Sequence, residues 1–306
     1  MIFQQNVSNP EGPVCLPDGS WVVTEMNRGI ISHISADGKT KRTVAHTGRP
    51  NGLALDEDGN LWATESRSSA LLRVTMDGEV TKISKGHRDL RFLWPNDLCF
   101  GPDGAIYMTD SGVPLDAFEG IEPPEAAYHV PVDGRVFRVD PASGACCLLD
   151  RGLRFANGIA FGPGGEYLYV SETLTGNIYR YSIIEGNPSG ERQLFGNVML
   201  KPPMEHGRVA GPDGMAFDLK GNLYVAVLAQ GDITVLGPDG SVRNHLGVDG
   251  VFPTNVAFAG AREPRALVTE GSRNQLLMLE TPTGGLPLYS SNVSTEIVRP
   301  RGPHNP

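Results

Sequence analysis

Six oxygen-bearing side chains, Glu11, Asn51, Asn96, Asn157, Asp213 and Asn255, stand at matching places in six copies of one short pattern. Gathered in one volume, they describe a site for a hard divalent cation. Glu11 and Asp213 would neutralise the charge, while Asn96 and Asn157 would add neutral amide oxygens. Calcium fits this donor set best, because it takes about six to eight oxygens in flexible geometry and accepts amide carbonyls. Four protein oxygens leave positions for water and substrate, as a catalytic ion requires. Zinc is disfavoured on donor chemistry, since no histidine or cysteine occupies a matching place. Asn51 and Asn255 are expected to line the pocket around the ion. Asn and Asp also cap turns through backbone amides, but Glu11 is a poor residue for that role.

The elements that must position these residues are short hairpins. Residues 94–110 read WPNDLCFGPDGAIYMTD, two apolar runs around a Gly-Pro-Asp-Gly turn. Copies stand at 49–65, 155–172 and 211–226, with weaker ones at 11–25 and 253–270. The apolar positions alternate with period two, which excludes a solenoid of helices. Intervals of 40 to 61 residues, each holding enough sequence for four strands, predict an all-β six-bladed propeller. The expectation is one domain over 1–306, with four antiparallel strands per blade around a central channel and blades starting near 11, 51, 96, 157, 213 and 255. The first strand of each blade then lines the channel, and six matching residues meet at one mouth. Residues 112–135, rich in proline and acids, interrupt blade three and are a candidate lid. Residues 197–212 form a second irregular segment. His129 and His206 lie in these two loops, within reach of a substrate. A last strand is expected near Leu286–Ser290; one end of the chain must help close the ring, with the strand that does so left open, and the polar tail from Asn292 is expected to be loosely held.

Formal charge is −9, from 26 basic and 35 acidic residues, with no lysine or arginine block. Nucleic acid and anionic membrane are therefore excluded as expected partners. The N-terminal residues lack the basic and apolar regions of a signal peptide, and no apolar run approaches the roughly 20 residues of a membrane span. Cys15, Cys99, Cys146 and Cys147 have no metal-ligand spacing and read as buried free thiols, which fits a reducing, cytoplasmic setting. Asp56-Glu57-Asp58-Gly59-Asn60 resembles the start of an EF-hand loop but falls at the hairpin turn of blade two. Nucleophile-elbow, zincin and phosphate-loop motifs are absent.

With these residues placed, the chain resembles the SMP-30/gluconolactonase/LRE-like family of six-bladed propellers over roughly Glu11 to Leu279. The carriers are Glu11-Gly12-Pro13, Asn96-Asp97, Ala156-Asn157-Gly158 and Pro212-Asp213-Gly214-Met215. The resemblance implies a metal-dependent hydrolase acting on a small-molecule lactone, with Glu11, Asn157 and Asp213 on the metal. It implies Asn96 on metal or substrate, and Asp213 also handling the proton. Since members differ in their ion, zinc and manganese stay open beside calcium. Where animal-type members carry a substrate-contacting arginine, two residues before the blade-three Asn, this chain has Trp94. That change favours a less polar lactone, or a sugar stacked on the indole. Hydrolysis of organophosphates or phosphoesters on the same ion is the alternative activity, and a non-catalytic binding scaffold is the alternative class.

Overall fold

The computed structural model describes residues 1–118 and 120–290. Glu119, within the candidate lid, and the tail from Asn292 lie outside the described residues. The expected architecture is present: six blades of four antiparallel strands arranged as a propeller. Blade one is Pro10–Cys15, Trp21–Glu25, Ile30–Ile34 and Lys41–His46. Blade two is Pro50–Leu55, Leu61–Glu65, Ala70–Val74 and Val80–Ser84. Blade three is Pro95–Phe100, Ile106–Asp110, Gly134–Val139 and Cys146–Leu153. Blade four is Ala156–Phe161, Tyr167–Glu172, Asn177–Ile184 and Gln193–Asn197. Blade five is Gly211–Phe217, Leu223–Leu228, Asp232–Leu236 and Val242–Gly247.

Blade six takes its first three strands from Pro253–Phe258, Arg265–Glu270 and Gln275–Glu280, and its outermost strand from Ile2–Gln5. The N-terminus therefore closes the ring. Leu286–Ser290, expected as a last strand, instead crosses beneath the propeller. Leu286 N–H donates to the Phe217 carbonyl, and Gly285 makes one bridge to Asp218. The N-terminal strand already pairs with Gln275–Glu280, so no edge was left for the later segment.

The second strand of each blade is apolar on both faces because both are covered. Trp21–Glu25, Leu61–Glu65 and Ile106–Asp110 are buried along their whole length. The core is six wedges, one between each pair of neighbouring blades. The closing wedge joins Trp21, Val23 and Ile34 of blade one to Leu267, Leu276 and Met278 of blade six. Each large side chain buried this way contributes about 1.5–3 kcal/mol.

Hydroxyls near the ends of these second strands tie one blade to the next. Thr24 donates to the Asn51 carbonyl at 2.8 Å, Thr64 to that of Asn96, Thr109 to that of Asn157 at 2.5 Å, and Ser171 to that of Asp213 at 3.0 Å. The seam between blades six and one is tied from a first strand instead, by Thr254, which donates to the Pro10 carbonyl at 2.7 Å. Thr109 also accepts from the Asp97 N–H at 3.1 Å. Replacing Thr109 with valine keeps the shape and strands two buried backbone groups. Thr109→Val is expected to lower unfolding free energy by about 2 kcal/mol in urea titration; an unchanged midpoint would show that the inter-blade bond contributes nothing.

Candidate active site

Each first strand opens on the same local device. Pro10, Pro50, Pro95, Ala156, Pro212 and Pro253 pair with the ends of the second strands, and every blade then slips register by one residue. A bulge of this kind bends the strand and re-aims its side chains. The residues following those six are Glu11, Asn51, Asn96, Asn157, Asp213 and Thr254. The ring position of blade six is thus Thr254, and Asn255, expected there, sits one residue later. The sequence Pro-Thr-Asn offered two polar candidates, and only the strand register separates them.

The displaced Asn255 is nevertheless part of the site. It occupies the slot filled by glycine in blades one, two, four and five and by Asp97 in blade three. Asp97 and Asn255 lean against the glycine of the preceding blade. A Cβ on Gly52 would stand 2.4 Å from Asp97 Oδ1, and one on Gly214 would stand 2.0 Å from Asn255 Cγ. Asn255 lies close enough to Glu11 and Asp97 to pull both carboxyls down against the effect of burial, and its Oδ1 accepts the Val256 N–H at 2.8 Å. Asp97 was not selected as a site residue from the sequence. The signal was an Asp where sibling copies carry Gly.

Three carboxylates, Glu11, Asp97 and Asp213, therefore interact in one buried volume, with each residue 5–7 % exposed. Burial, then the negative charges of Asp213 and Asp97, drive Glu11 well above the usual carboxylate range. Burial and the Asp97 charge do the same to Asp213, against an opposing hydrogen bond from Asn157. Asp97 is pushed up to about 7 by burial, although the Leu98 N–H, Asn255 and the Ile159 N–H hydrogen-bond to it. Such a set costs stability when charged and has too few positive partners nearby to offset that cost.

The amides are held so that oxygen is left over. Asn157 Nδ2 donates to Thr173 Oγ1 at 3.1 Å, and its Oδ1 is buried with no hydrogen-bond partner. Asn96 Nδ2 donates to Ser111 Oγ at 3.0 Å. An orphaned buried amide oxygen beside mutually repelling carboxylates is what a hard cation would satisfy, so these residues fit the implied metal. Among the described residues, no group of three or more His, Cys, Asp and Glu side chains is placed to hold an ion by itself. The amide oxygens are then needed to complete a ligand set.

Trp94 is 8 % exposed. Its ring packs edge-on against Phe155 at 5.4 Å and Phe118 at 6.1 Å between centroids. It anchors the blade-three insertion, whose helical turns are Leu115–Phe118 and Pro124–His129. Tyr128 carries the insertion across to blade five by accepting the Ala210 N–H at 2.9 Å, and Arg154 donates to the Tyr128 carbonyl at 2.6 Å. His129 is exposed. His206 is half-buried, its Nε2 lacks a partner, and burial together with the Lys201 charge lowers its pKa. Asn51 is buried at its ring position. Asp56 takes the Asn60 amide and the Trp62 indole N–H, so its carboxylate is spent on the hairpin. The four cysteines are free; Cys146 is buried, Cys15 and Cys99 are partly so, and Cys147 is exposed, against expectation, because adjacent strand residues face opposite ways. No described helix is long and apolar enough to cross a membrane.

The raised carboxylates make the metal-free protein pH-sensitive. Burial on folding pushes Asp97 from the ordinary carboxylate range up to about 7, so between those values the native state holds the extra proton. Stability is therefore present at low pH and lost as pH rises to about 7, by at most on the order of 4 kcal/mol for this group. In chelated protein, the urea midpoint is expected to fall from pH 5 to pH 7, and Asp97→Asn should flatten that slope. An equal slope in the variant would remove Asp97 as its source.

Comparison with known proteins agrees with this architecture. The Zymomonas mobilis gluconolactonase is 32 % identical over 256 residues, 78 % of this chain and 69 % of that protein. The Loligo vulgaris diisopropyl-fluorophosphatase is 27 % identical over 93 % of both chains. The Agrobacterium tumefaciens calcium-binding protein regucalcin superposes with a TM-score of 0.75 at 19 % identity, covering 95 % of each chain, a likeness of fold. Residues 9–272 match the SMP-30/Gluconolactonase/LRE-like region, and the chain belongs to that family.

Proposed function

We propose that this protein is a metal-dependent lactonase, with calcium as the resident ion. The observation that carries the reading is the buried meeting of Glu11, Asp97 and Asp213 with the unpartnered Asn157 oxygen. Support comes from relatives named gluconolactonase and pentonolactonase, and from a neighbour in fold named as calcium-binding.

Glu11, Asn96, Asn157 and Asp213 would hold the ion through oxygen. When bound, the ion supplies a Lewis acid that polarises the lactone carbonyl and favours negative charge on its oxygen. Asp213 is the general base. It takes a proton from the attacking water as the new oxygen–carbon bond forms at the acyl carbon. The ring carbon–oxygen bond then breaks, and the proton returns from Asp213 to the departing alkoxide, giving a hydroxy acid. Asn157 orients Asp213 by its hydrogen bond, and Thr173 fixes the Asn157 amide so that its oxygen faces the site. Asn255 holds Glu11 and Asp97 together. The insertion over Trp94 is the lid, and its aromatic side favours lactones with an apolar substituent.

The test is lactone hydrolysis by chelated protein, titrated back with calcium, zinc or manganese over sugar and alkyl lactones. Activity is expected to return with one ion. Asp213→Asn should lower kcat by about 10²–10⁴-fold, the magnitude expected for loss of a general base, with metal occupancy and fold retained. Turnover kept at full occupancy would exclude Asp213 as the base. The diisopropyl-fluorophosphatase relative, matched across nearly the whole chain, favours a second reading on the same residues, hydrolysis of a phosphotriester. A phosphotriester panel run in parallel decides between them.

A further inference from the structure

A cleft of about 410 Å³ opens on the ring face, between the blade-two turn and the start of the insertion. Ser66, Arg67 and Ser69 line it from blade two, Leu93 from the connector into blade three, and Leu115 and Asp116 from the insertion. Two serines fix its place beside the ring. Ser69 Oγ donates to the Leu93 carbonyl at 3.1 Å, and Ser66 Oγ to the Pro95 carbonyl at 3.2 Å. Pro95 immediately precedes Asn96, so the cleft meets the ring one residue from a proposed ion ligand. The backbone beneath Arg67 is held as well, because buried Glu65 takes the Arg67 N–H at 3.0 Å and the Ser68 N–H at 2.7 Å.

The insertion packs on the connectors of blades three, four and five. On the side it leaves open, the turns between second and third strands of blades six, one and two carry Arg273, Arg28 and Arg67. Arg28 pairs with Glu25 and Arg273 with Asp249. Among the described residues, Arg67 has no ion pair and no hydrogen bond through its guanidinium, and Asp116 lies across the cleft beyond ion-pair reach. Turns on the opposite face carry Asp18, Asp37, Asp58, Asp77, Asp103 and Asp239 instead. The field across the propeller therefore draws an anion toward the ring face. We infer that Arg67 is a specificity-determining residue of the lactonase site, binding a singly charged oxyanion such as a carboxylate at the end of a short side chain on the lactone. The guanidinium fork matches a carboxylate bidentately, and Leu93 and Leu115 take the carbon chain. One cation facing Asp116 favours a monoanion over a phosphate dianion. Arg67 also offsets the repulsion that such a group meets beside Glu11, Asp97 and Asp213. This inference rests on the lactonase reading above.

The probes are two γ-lactones, 3-(5-oxooxolan-2-yl)propanoate and its primary amide, which match in shape and differ in charge. On the metal-loaded protein, kcat/KM is expected to be about tenfold higher for the carboxylate. That advantage should shrink as NaCl rises from about 20 to about 300 mM. Arg67→Gln should remove the preference by raising KM for the carboxylate about tenfold with kcat kept, and Arg67→Lys should restore part of it. Calorimetry with 3-(3-oxocyclopentyl)propanoate, a ketone with no ester bond to open, reads the same site without turnover. Arg67→Gln should weaken its binding about tenfold. Equal hydrolysis of both lactones by the wild type, or a preference that survives in Arg67→Gln, overturns the inference and leaves the lactonase reading standing. Arg67-dependent binding of the ketone, with neither lactone opened under any ion, supports the oxyanion site and overturns the lactonase reading instead.

Discussion

The contact on which the rest depends is the close approach of neighbouring first strands at the channel mouth. A propeller blade buries both faces, so nothing but its neighbours fixes its tilt. Here the fixing is done by hydroxyls. Thr24, Thr64, Thr109 and Ser171 each reach across to the carbonyl of the next ring residue. The same bond stabilises the junction and sets the angle at which Asn51, Asn96, Asn157 and Asp213 present their side chains. At the junction of blades five and six the matching residue is Ala226, and among the described residues no hydroxyl bridges there. Blade six instead binds forward to blade one through Thr254, so the ring is tied at that seam by a different residue.

Close approach has an electrostatic consequence. With glycine at most of the slots beside the ring, the strands come near enough for Glu11, Asp97 and Asp213 to feel one another in a buried volume. A fold selected for stability alone would not retain three such carboxylates, since each is held away from its preferred charge state. A positive charge joining them would offset that cost. The amides point to the same requirement: Thr173 and Ser111 occupy the nitrogen ends of Asn157 and Asn96, which directs their oxygens away from protein partners. Fold and site are thus two readings of one set of backbone contacts.

Much of this was legible in the sequence because the repeat is written in residue types with one physical meaning. Alternating apolar runs around Gly-containing turns give hairpins, and a proline followed by Asn, Asp or Glu marks the start of each blade. What escaped needed the register. Pro253-Thr254-Asn255 contains two polar residues, and the Asn pattern favoured the wrong one; the strand pairing makes Thr254 the equivalent of Asn51. Asp97 read as the second letter of a motif, although its departure from glycine was visible. The closing strand was ambiguous because Ile2–Gln5 and Leu286–Ser290 are both short and apolar enough, and only hydrogen bonding to Gln275–Glu280 separates them. Trp94 could be placed at the mouth from spacing, but its burial under a distant insertion could not.

That burial changes how Trp94 can govern specificity. An indole facing open solvent would offer its face to a sugar ring. Here Phe118 and Phe155 already take its edges, and they lie 4.9 Å from each other. A ligand gains contact with this wall only by sharing it with the insertion, so the shape of the insertion enters the binding energy directly. The insertion in turn is fastened at Tyr128 to the backbone just ahead of Asp213, and by Arg154 to the strand that carries Asn157. Any movement that admits a larger substrate must therefore release contacts beside two of the proposed ion ligands. Access and ligand geometry are coupled through the same few residues, which makes the insertion, rather than the ring beneath it, the element whose sequence sets what the site accepts.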